Sequence, residues 1–251
     1  MADITYDLEL LTRSRSKWES SSGVRLVYGA IFEEAMGFSK SNRILEIGSG
    51  AGFLKELYPE VVTSDIVLTP YVEREVSAYE IEKSGERWGT IIAMDVLHHL
   101  REPLRFFSSA SASLTPGGRL ILIEPAGTLM GRAFYGLFHQ EPCRPDGLRD
   151  PYCFEADDEE GNFANMGMGW ALFHRDRGEI NRRLAAMGLR AVAVRFRDVL
   201  AYPATGGLSR NQLLPTGLLR LILSLERVLP QWALARIGLR MVIVLESVGD
   251  R

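Results

Sequence analysis

Carboxylates and glycines that could hold a ligand meet in one stretch, ILEIGSGAGF, Ile44 to Phe53. Ile44, Leu45 and Ile47 form a short apolar run that fits a strand inside a parallel sheet, and Gly48, Ser49, Gly50, Ala51 and Gly52 then turn the chain into a helix. Glycine there lets backbone come close to a ligand. The amides of Ser49 to Gly52 would point over the helix N-terminus, while Glu46, at the strand end, offers an acceptor to a cationic or hydroxyl-bearing group. Val61 to Ser64 read as a second strand ending in Asp65, which parallel βαβ geometry brings beside the turn, in reach of both hydroxyls of a ribose. Together these residues describe a nucleoside site.

A dinucleotide fold asks for G-x-G-x-x-G, but counting from Gly48 the third glycine arrives one residue early, at Gly52, with Phe53 in its place. The pattern is E-x-G-x-G-x-G. IIAMDVLHHL, Ile91 to Leu100, reads as a strand with its following loop, and LTPGGRLILIEP, Leu114 to Pro125, as a helix end, a Pro-Gly-Gly turn and another strand. In order and spacing, these segments from Arg43 to Pro125 resemble the class I S-adenosylmethionine-dependent methyltransferases. HQEP at His139 to Pro142 and the closing MVIVLE at Met241 to Glu246 look like a bacterial branch of that family acting on small molecules.

The resemblance implies an α/β fold: a Rossmann-like seven-stranded, mostly parallel sheet with helices on both faces, an antiparallel last strand and a lid insertion after the fifth strand. It implies S-adenosylmethionine as cofactor, held by Glu46, Gly48, Ser49, Gly50, Asp65, Ile66, Ser77, Ala78, Asp95 and Val96. Ile66 would be the apolar plate on one adenine face, and Asp95 and Val96 would line the methionine part through their backbone. Glu75 to Ala78 read as a third strand, and Ser77 stands where the family usually has an acid toward the adenine amino group; serine can still accept one hydrogen bond. The implied reaction is in-line transfer of the sulfonium methyl group to an oxygen, nitrogen or carbon nucleophile. For the proton that leaves the acceptor, the candidates are His98, His99 and His139, with Glu141 or Glu124 orienting, since imidazole titrates near neutrality. Glu124 could instead pair with an arginine from the following insertion. Two rivals keep other classes open: a catalytically silent methyltransferase-like binding subunit, to which Ser77 gives weight, and a nicotinamide oxidoreductase.

The elements that must position these groups can be traced along the chain. Residues 1–40 read as an N-terminal helical cap, with an amphipathic pattern at Val24, Leu26, Val27, Ile31, Phe32 and Met36; within it Trp18 and Tyr28 read as packing aromatics and Arg13 and Arg15 as solvated. Residues 41–126 form the cofactor-binding core of a single domain. Its helix from Pro103 to Leu114 turns Leu104, Phe106, Phe107 and Ala110 to the sheet. Residues 127–176, rich in Gly, Pro, Asp and Asn, read as a lid over the acceptor, with Asn162, Asn165 and Trp170 in it. The run Asp157 to Glu160 reads as a solvated face, and His139, Glu141 and His174 lack the tight spacing of a helical zinc motif, so no metal is assigned. Residues 177–251 hold a helix from Glu179 to Met187, a sixth strand from Leu189 to Leu200 and an antiparallel seventh from Met241 to Val248.

Between those strands Leu218, Leu219, Leu221, Ile222, Leu225, Val228 and Leu229 make an apolar helix with Arg220, Ser224 and Arg227 on its other face. Packing on the domain or in a homodimer is the first expectation, an apolar or glycosylated small-molecule acceptor the second, and an anionic membrane surface the third. A net charge of -3 over 251 residues, without a basic and aromatic stripe, argues against nucleic acid as partner. MADITYDLEL lacks a basic region followed by an apolar one, and no apolar stretch is long enough to span a bilayer, which predicts a cytoplasmic protein. Cys143 and Cys153 are read as free thiols.

Overall fold

The computed structural model describes residues 8–155 and 163–249; the acidic run Asp157 to Glu160 and Asn162 lie outside the described residues. In chain order it has α1 (Leu8–Ser20), α2 (Ser22–Met36), β1 (Ile44–Ile47), α3 (Phe53–Leu57), β2 (Val61–Asp65), β3 (Arg74–Glu75), β4 (Trp88–Met94), α4 (Pro103–Ser113), β5 (Leu114–Pro125) and α5 (Leu129–Phe138). There follow α6 (Met168–Trp170), which runs on as a π-helical turn over Ala171–Arg175, α7 (Arg177–Ala186), β6 (Leu189–Arg197), α8 (Ala201–Ala204), α9 (Thr216–Glu226), α10 (Gln231–Ile237) and β7 (Arg240–Ser247). The seven strands form one sheet in the order β3-β2-β1-β4-β5-β7-β6. β7 runs against β5 and β6, while the pairs β2 with β3, β1 with β2, β1 with β4, and β4 with β5 are parallel.

Alternate residues of the central strands feed two apolar layers. Leu45, Ile47, Ile91, Ala93, Leu120 and Leu122 pack with Phe106, Phe107 and Ala110 of α4 and with Ile180 and Leu184 of α7. Ile44, Ile92, Ile121, Ile123, Val242 and Val244 face the other way, onto Val24, Tyr28, Ile31 and Phe32 of α2. Helices on both faces explain why these strands read as continuous apolar runs rather than as alternating ones. Each fully buried Leu, Ile or Phe contributes on the order of 1.5–3 kcal/mol of transfer free energy.

The register decides where chemistry can sit. Ile47 pairs with Ser64 and Ala93, Met94 with Ile123, and Glu124 with Met241, so Gly48, Asp65, Asp95 and Glu124 come to one edge of the sheet, at the C-terminal ends of the parallel strands. That edge is where open α/β sheets bind ligands. Gly48 has φ +67°, and a Cβ built on it would lie 2.4 Å from Val96 Cγ2, so this glycine is required both by its backbone and by its neighbour.

Several boundaries differ from the sequence expectation. The third strand is only Arg74–Glu75, so Ser77 and Ala78 follow it in a turn instead of ending it. Pro116-Gly117-Gly118 lies inside β5 as an irregularity in its pairing with β4, with Gly117 at φ +71°. The stretch 127–176 is not one loop: it carries α5 and α6, and Met168, Ala171, Leu172 and Phe173 are buried against the sheet. The apolar helix α9 buries a narrow stripe, Leu219 and Leu223, and leaves Leu218, Leu221, Leu225 and Val228 exposed. Among the described residues no helix is long and apolar enough to cross a membrane.

Gly48→Ala should cost roughly 1–3 kcal/mol in urea unfolding, through the left-handed backbone and the clash with Val96 together. The double variant Gly48→Ala/Val96→Ala should behave as less than the sum of its parts, because Val96→Ala removes the clash and leaves the backbone term. Equal stability of wild type and Gly48→Ala would contradict the close approach of turn and wall.

Candidate active site

The glycine turn lies between the ends of β1 and β2. Gly48, Gly50 and Gly52 all have positive φ, and Gly52 precedes the five-residue helix α3. The expectation that the amides from Ser49 to Gly52 face a ligand needs correction for three of the four: Ser49 N donates to Ser64 O at 2.9 Å, Gly50 N to Asp65 Oδ2 at 2.9 Å, and Gly52 N to Ser49 O at 2.9 Å. These bonds fix the turn and aim the Asp65 carboxylate, whose Oδ1 also accepts from Ile66 N at 2.8 Å. Ile66 and Leu68, next along the loop, are exposed apolar side chains at this edge. Ser77 Oγ accepts from Tyr79 N at 3.2 Å and keeps its own proton to give. Helix α1 crosses the turn, with Arg15 Nη1 donating to Ala51 O at 3.1 Å. Trp18 is packing, as expected: it is buried and stacks on Phe53 at 4.7 Å between ring centroids.

Glu46 is the unusual member. It is 4% exposed, its Oε2 is buried without a hydrogen-bond partner, and burial pushes its carboxyl up to about 8 against the lowering by Ser49. An acid in that state is neutral at pH 7 and poised to ionise toward a cation.

The far wall is Asp95 and Val96. Asp95 stands at φ +56°, a conformation that Asp tolerates better than most residues, and both of its carboxylate oxygens accept from Arg240 at 3.0 Å. Arg240 is buried, with its guanidinium 4.7 Å from the Tyr202 ring centroid and 5.4 Å from that of Tyr28, and its Nε has no partner. Sequence reasoning missed Arg240; the available signal was a charged residue flush against the start of the apolar run MVIVL.

Beyond that wall the four histidine and glutamate candidates come together. His98 and His99 lie on a single 3₁₀ turn, Leu97–His99, with ring centroids 4.2 Å apart. Glu141, reached after α5, puts Oε2 3.5 Å from His98 Nε2 and 3.8 Å from His139 Nδ1, and Oε1 3.8 Å from His99 Nε2. Glu124 has no exposure and does not meet an arginine of the following segment: its Oε1 accepts from Val96 N and Leu97 N at 3.0 and 2.8 Å, and its Oε2 lies 2.7 Å from His98 Nδ1. Burial alone would lower His98, but the Glu124 carboxylate, then Glu141, overrides it and raises the imidazole to about 10. His99 moves the other way, lowered by burial and by the charge of His98, while Glu141 is held at about 2 by its histidine neighbours against the opposing effect of burial. At neutral pH the cluster therefore holds one imidazolium, one neutral imidazole and one carboxylate. His174 lies elsewhere, its ring 5.1 Å from Trp170 and 5.5 Å from Phe196.

Two surface clefts, of about 500 and 520 Å³, lie away from this edge. Among their lining residues Arg175 pairs with Asp176 and Arg197 with Glu34.

Comparison with known proteins bears on the family and the fold. Residues 24–194 match a family model described as a methyltransferase domain. A ubiquinone biosynthesis O-methyltransferase of Cereibacter sphaeroides is 30% identical over 97 aligned residues, which cover 32% of this chain and 39% of that protein, so the match spans well under half the length of these curated relatives. An S-adenosylmethionine-dependent methyltransferase from Archaeoglobus fulgidus superposes with a TM-score of 0.52 at 16% identity, covering 91% of this chain and 97% of the other. Magnesium protoporphyrin IX methyltransferase from Synechocystis, with bound SAH, superposes with a TM-score of 0.52 at 13% identity, over 96% and 95% of the two chains. At such identities these two structures speak for the fold.

Glu124→Gln should destabilise the protein by about 3 kcal/mol, the cost of removing one partner of a buried pair. Because His98 is raised from its ordinary value of 6.5 to about 10, the pairing contributes fully below pH 6.5 and is lost as pH rises through 10. The gap between wild type and variant in denaturant unfolding should thus be widest in mild acid and narrow toward pH 10. A gap independent of pH would contradict the assigned charge on His98.

Proposed function

Because the chain belongs to the methyltransferase-domain family, we propose that it moves the methyl group of S-adenosylmethionine to an oxygen of a small-molecule acceptor held against His98, His99 and Glu141. The observation that carries this reading is one edge of one sheet that brings together the glycine turn with Asp65, the Asp95 and Val96 loop, and a cluster able to take a proton. The partial match to a protein named an O-methyltransferase favours oxygen over nitrogen or carbon.

The residues suit the cofactor. Asp65 offers a carboxylate for ribose hydroxyls, Ile66 an apolar surface for the base, and Ser77 and Ala78 a polar and an apolar neighbour for its edge. Glu46 brings a buried, unpartnered oxygen that a cationic group would satisfy. Bound there, S-adenosylmethionine supplies a methyl group on a positively charged sulfur, which departs as a neutral thioether. The protein then has to align the acceptor and relieve it of a proton. His99 suits that task, being neutral at pH 7 and half-exposed, and the imidazolium of His98 beside it stabilises negative charge developing on the acceptor oxygen. Glu141 fixes both rings, and His139 lies on the same carboxylate.

Leu137 and Phe138, at the end of α5 and next to His139, are exposed, which supports an apolar acceptor over a glycosylated one. The family assignment leaves the oxidoreductase reading without support. A silent binding subunit would keep the donor site and transfer nothing, so turnover with labelled methyl donor separates it from the enzyme.

Isothermal titration should show donor binding to the wild type, weakened by roughly tenfold or more in Asp65→Ala, where charged hydrogen bonds are lost. His99→Ala should leave donor affinity unchanged and lower kcat by about 10²–10⁴-fold with labelled donor and phenolic acceptors. Because His99 is lowered from its ordinary value, kcat should be level at and above neutral pH and fall only in acid. Absence of donor binding by the wild type, or full turnover by His99→Ala, would refute the assignment.

A further inference from the structure

We propose that His98, His99 and Glu141 form a binding site for a divalent transition-metal ion, with the fourth position open to the acceptor oxygen. The three side chains come from two segments that the sequence holds far apart, yet a ligand atom of each lies within 4.8 Å of those of the other two. His98 Nε2 and His99 Nε2 approach different oxygens of one carboxylate, at 3.5 and 3.8 Å. Ligands bound tetrahedrally at about 2.0–2.1 Å stand about 3.3–3.4 Å apart, close to the 3.5 and 3.8 Å that separate the two ring nitrogens from the carboxylate, so side-chain adjustment can close the three groups on an ion. Two imidazoles and one carboxylate with a free position is a donor set that suits Zn²⁺ and its neighbours better than Mg²⁺ or Ca²⁺.

A second observation supports the site independently of the three ligands. His98 is almost fully buried and its other nitrogen, Nδ1, lies 2.7 Å from Glu124 Oε2, while Glu124 is itself held by Val96 N and Leu97 N. A buried carboxylate on Nδ1 fixes the ring and leaves Nε2 to face the cluster, which is how proteins orient metal-binding histidines. His139 Nδ1, 3.8 Å from Glu141 Oε2, is near enough to follow the carboxylate. Glu124 on its Nδ1 side and Glu141 on its Nε2 side surround the His98 ring with carboxylates, a setting that favours a cation. Sequence reasoning set metal aside because His139, Glu141 and His174 lack a helical spacing; the fold replaces His174 with the adjacent pair His98 and His99.

The ion's use rests on the acceptor reading above, whereas its binding does not. With the ion bound, the acceptor oxygen coordinates it, the O–H bond breaks, the proton passes to solvent, and the oxygen attacks the methyl carbon as the sulfur leaves with its electron pair. His99 then acts as a ligand, and the ion, in place of its free ring, promotes the deprotonation.

The test uses the full chain without a polyhistidine tag, stripped with chelator and titrated with Co²⁺ while the visible ligand-field band is recorded, and with Zn²⁺ in a calorimeter. One equivalent should bind, with an intense band typical of a low-coordinate nitrogen and oxygen site. Glu141→Gln and His99→Ala should each weaken binding by at least about tenfold, as should the more conservative Glu124→Gln, which touches only the orienting carboxylate. His174→Ala should bind as wild type does, and circular dichroism of each variant reports whether it is folded. No band in the wild type, or equal Co²⁺ affinity in wild type and the folded variants Glu141→Gln and His99→Ala, overturns the site. Cobalt binding at this cluster in a protein that transfers no methyl group would keep the ion site and remove the proposed function; methyl transfer by a chain that binds no Co²⁺ would do the reverse.

Discussion

A carboxylate with no access to water, at the end of a central strand, has to be satisfied from within the protein, and Glu124 meets that demand with two backbone amides and one imidazole. The amides belong to Val96 and Leu97, so the loop after β4 can take only one path out of the sheet. That path presses Val96 against Gly48 on one side and lifts His98 toward Glu141 on the other. The separation of the glycine turn from the histidine cluster along the sheet edge follows from this one buried group. Its charge is shared: the same carboxylate that shapes the loop raises His98, and the charge on His98 in turn helps to lower His99.

A second constraint acts across the sheet. Arg240 opens β7 with its guanidinium buried among Tyr28, Tyr202 and Asp95, and its pairing with Asp95 holds that residue in a left-handed conformation beside the glycine turn. Non-glycine residues in that region carry strain of order 1–3 kcal/mol and persist where the surroundings determine them. A bidentate arginine partner is such a determinant, and it ties the antiparallel strand to the wall of the site.

What the sequence made legible was local. Gly48, Gly50 and Gly52 announce a turn because only glycine accepts that backbone cheaply, and Asp65 follows a strand whose length and apolar pattern place it beside the turn. The individual strands and the helices α4 and α7 were readable for the same reason, since their patterns belong to each segment alone, whereas the seven-stranded order and the antiparallel β7 came with the resemblance to the methyltransferases. What was hidden depends on pairing between distant segments. Nothing near Glu124 in the chain says that it meets His98 rather than an arginine, nor that Ser49, Gly50 and Gly52 spend their amides on Ser64, Asp65 and Ser49. The insertion after β5 looked like a loop because it is rich in glycine and polar residues, while its buried Met168, Leu172 and Phe173 are too few and too scattered to show a period. Helix α9 was read with a wide apolar face opposite Arg220, Ser224 and Arg227, and the narrower stripe that packs inward, Leu219 and Leu223, could be picked out only by its partner.

The central claim is that the turn side of this edge binds a cationic nucleoside through Glu46, whose carboxyl is neutral when nothing is bound and ionised when the donor is. Calorimetric binding of S-adenosylmethionine at pH 7, repeated in buffers of different ionisation enthalpy, measures that change. With Glu46 raised to about 8, the wild type should release close to one proton on binding, and Glu46→Gln should bind more weakly with release near zero. The same proton count in wild type and Glu46→Gln, or release of none by a wild type that binds the donor, would contradict the account.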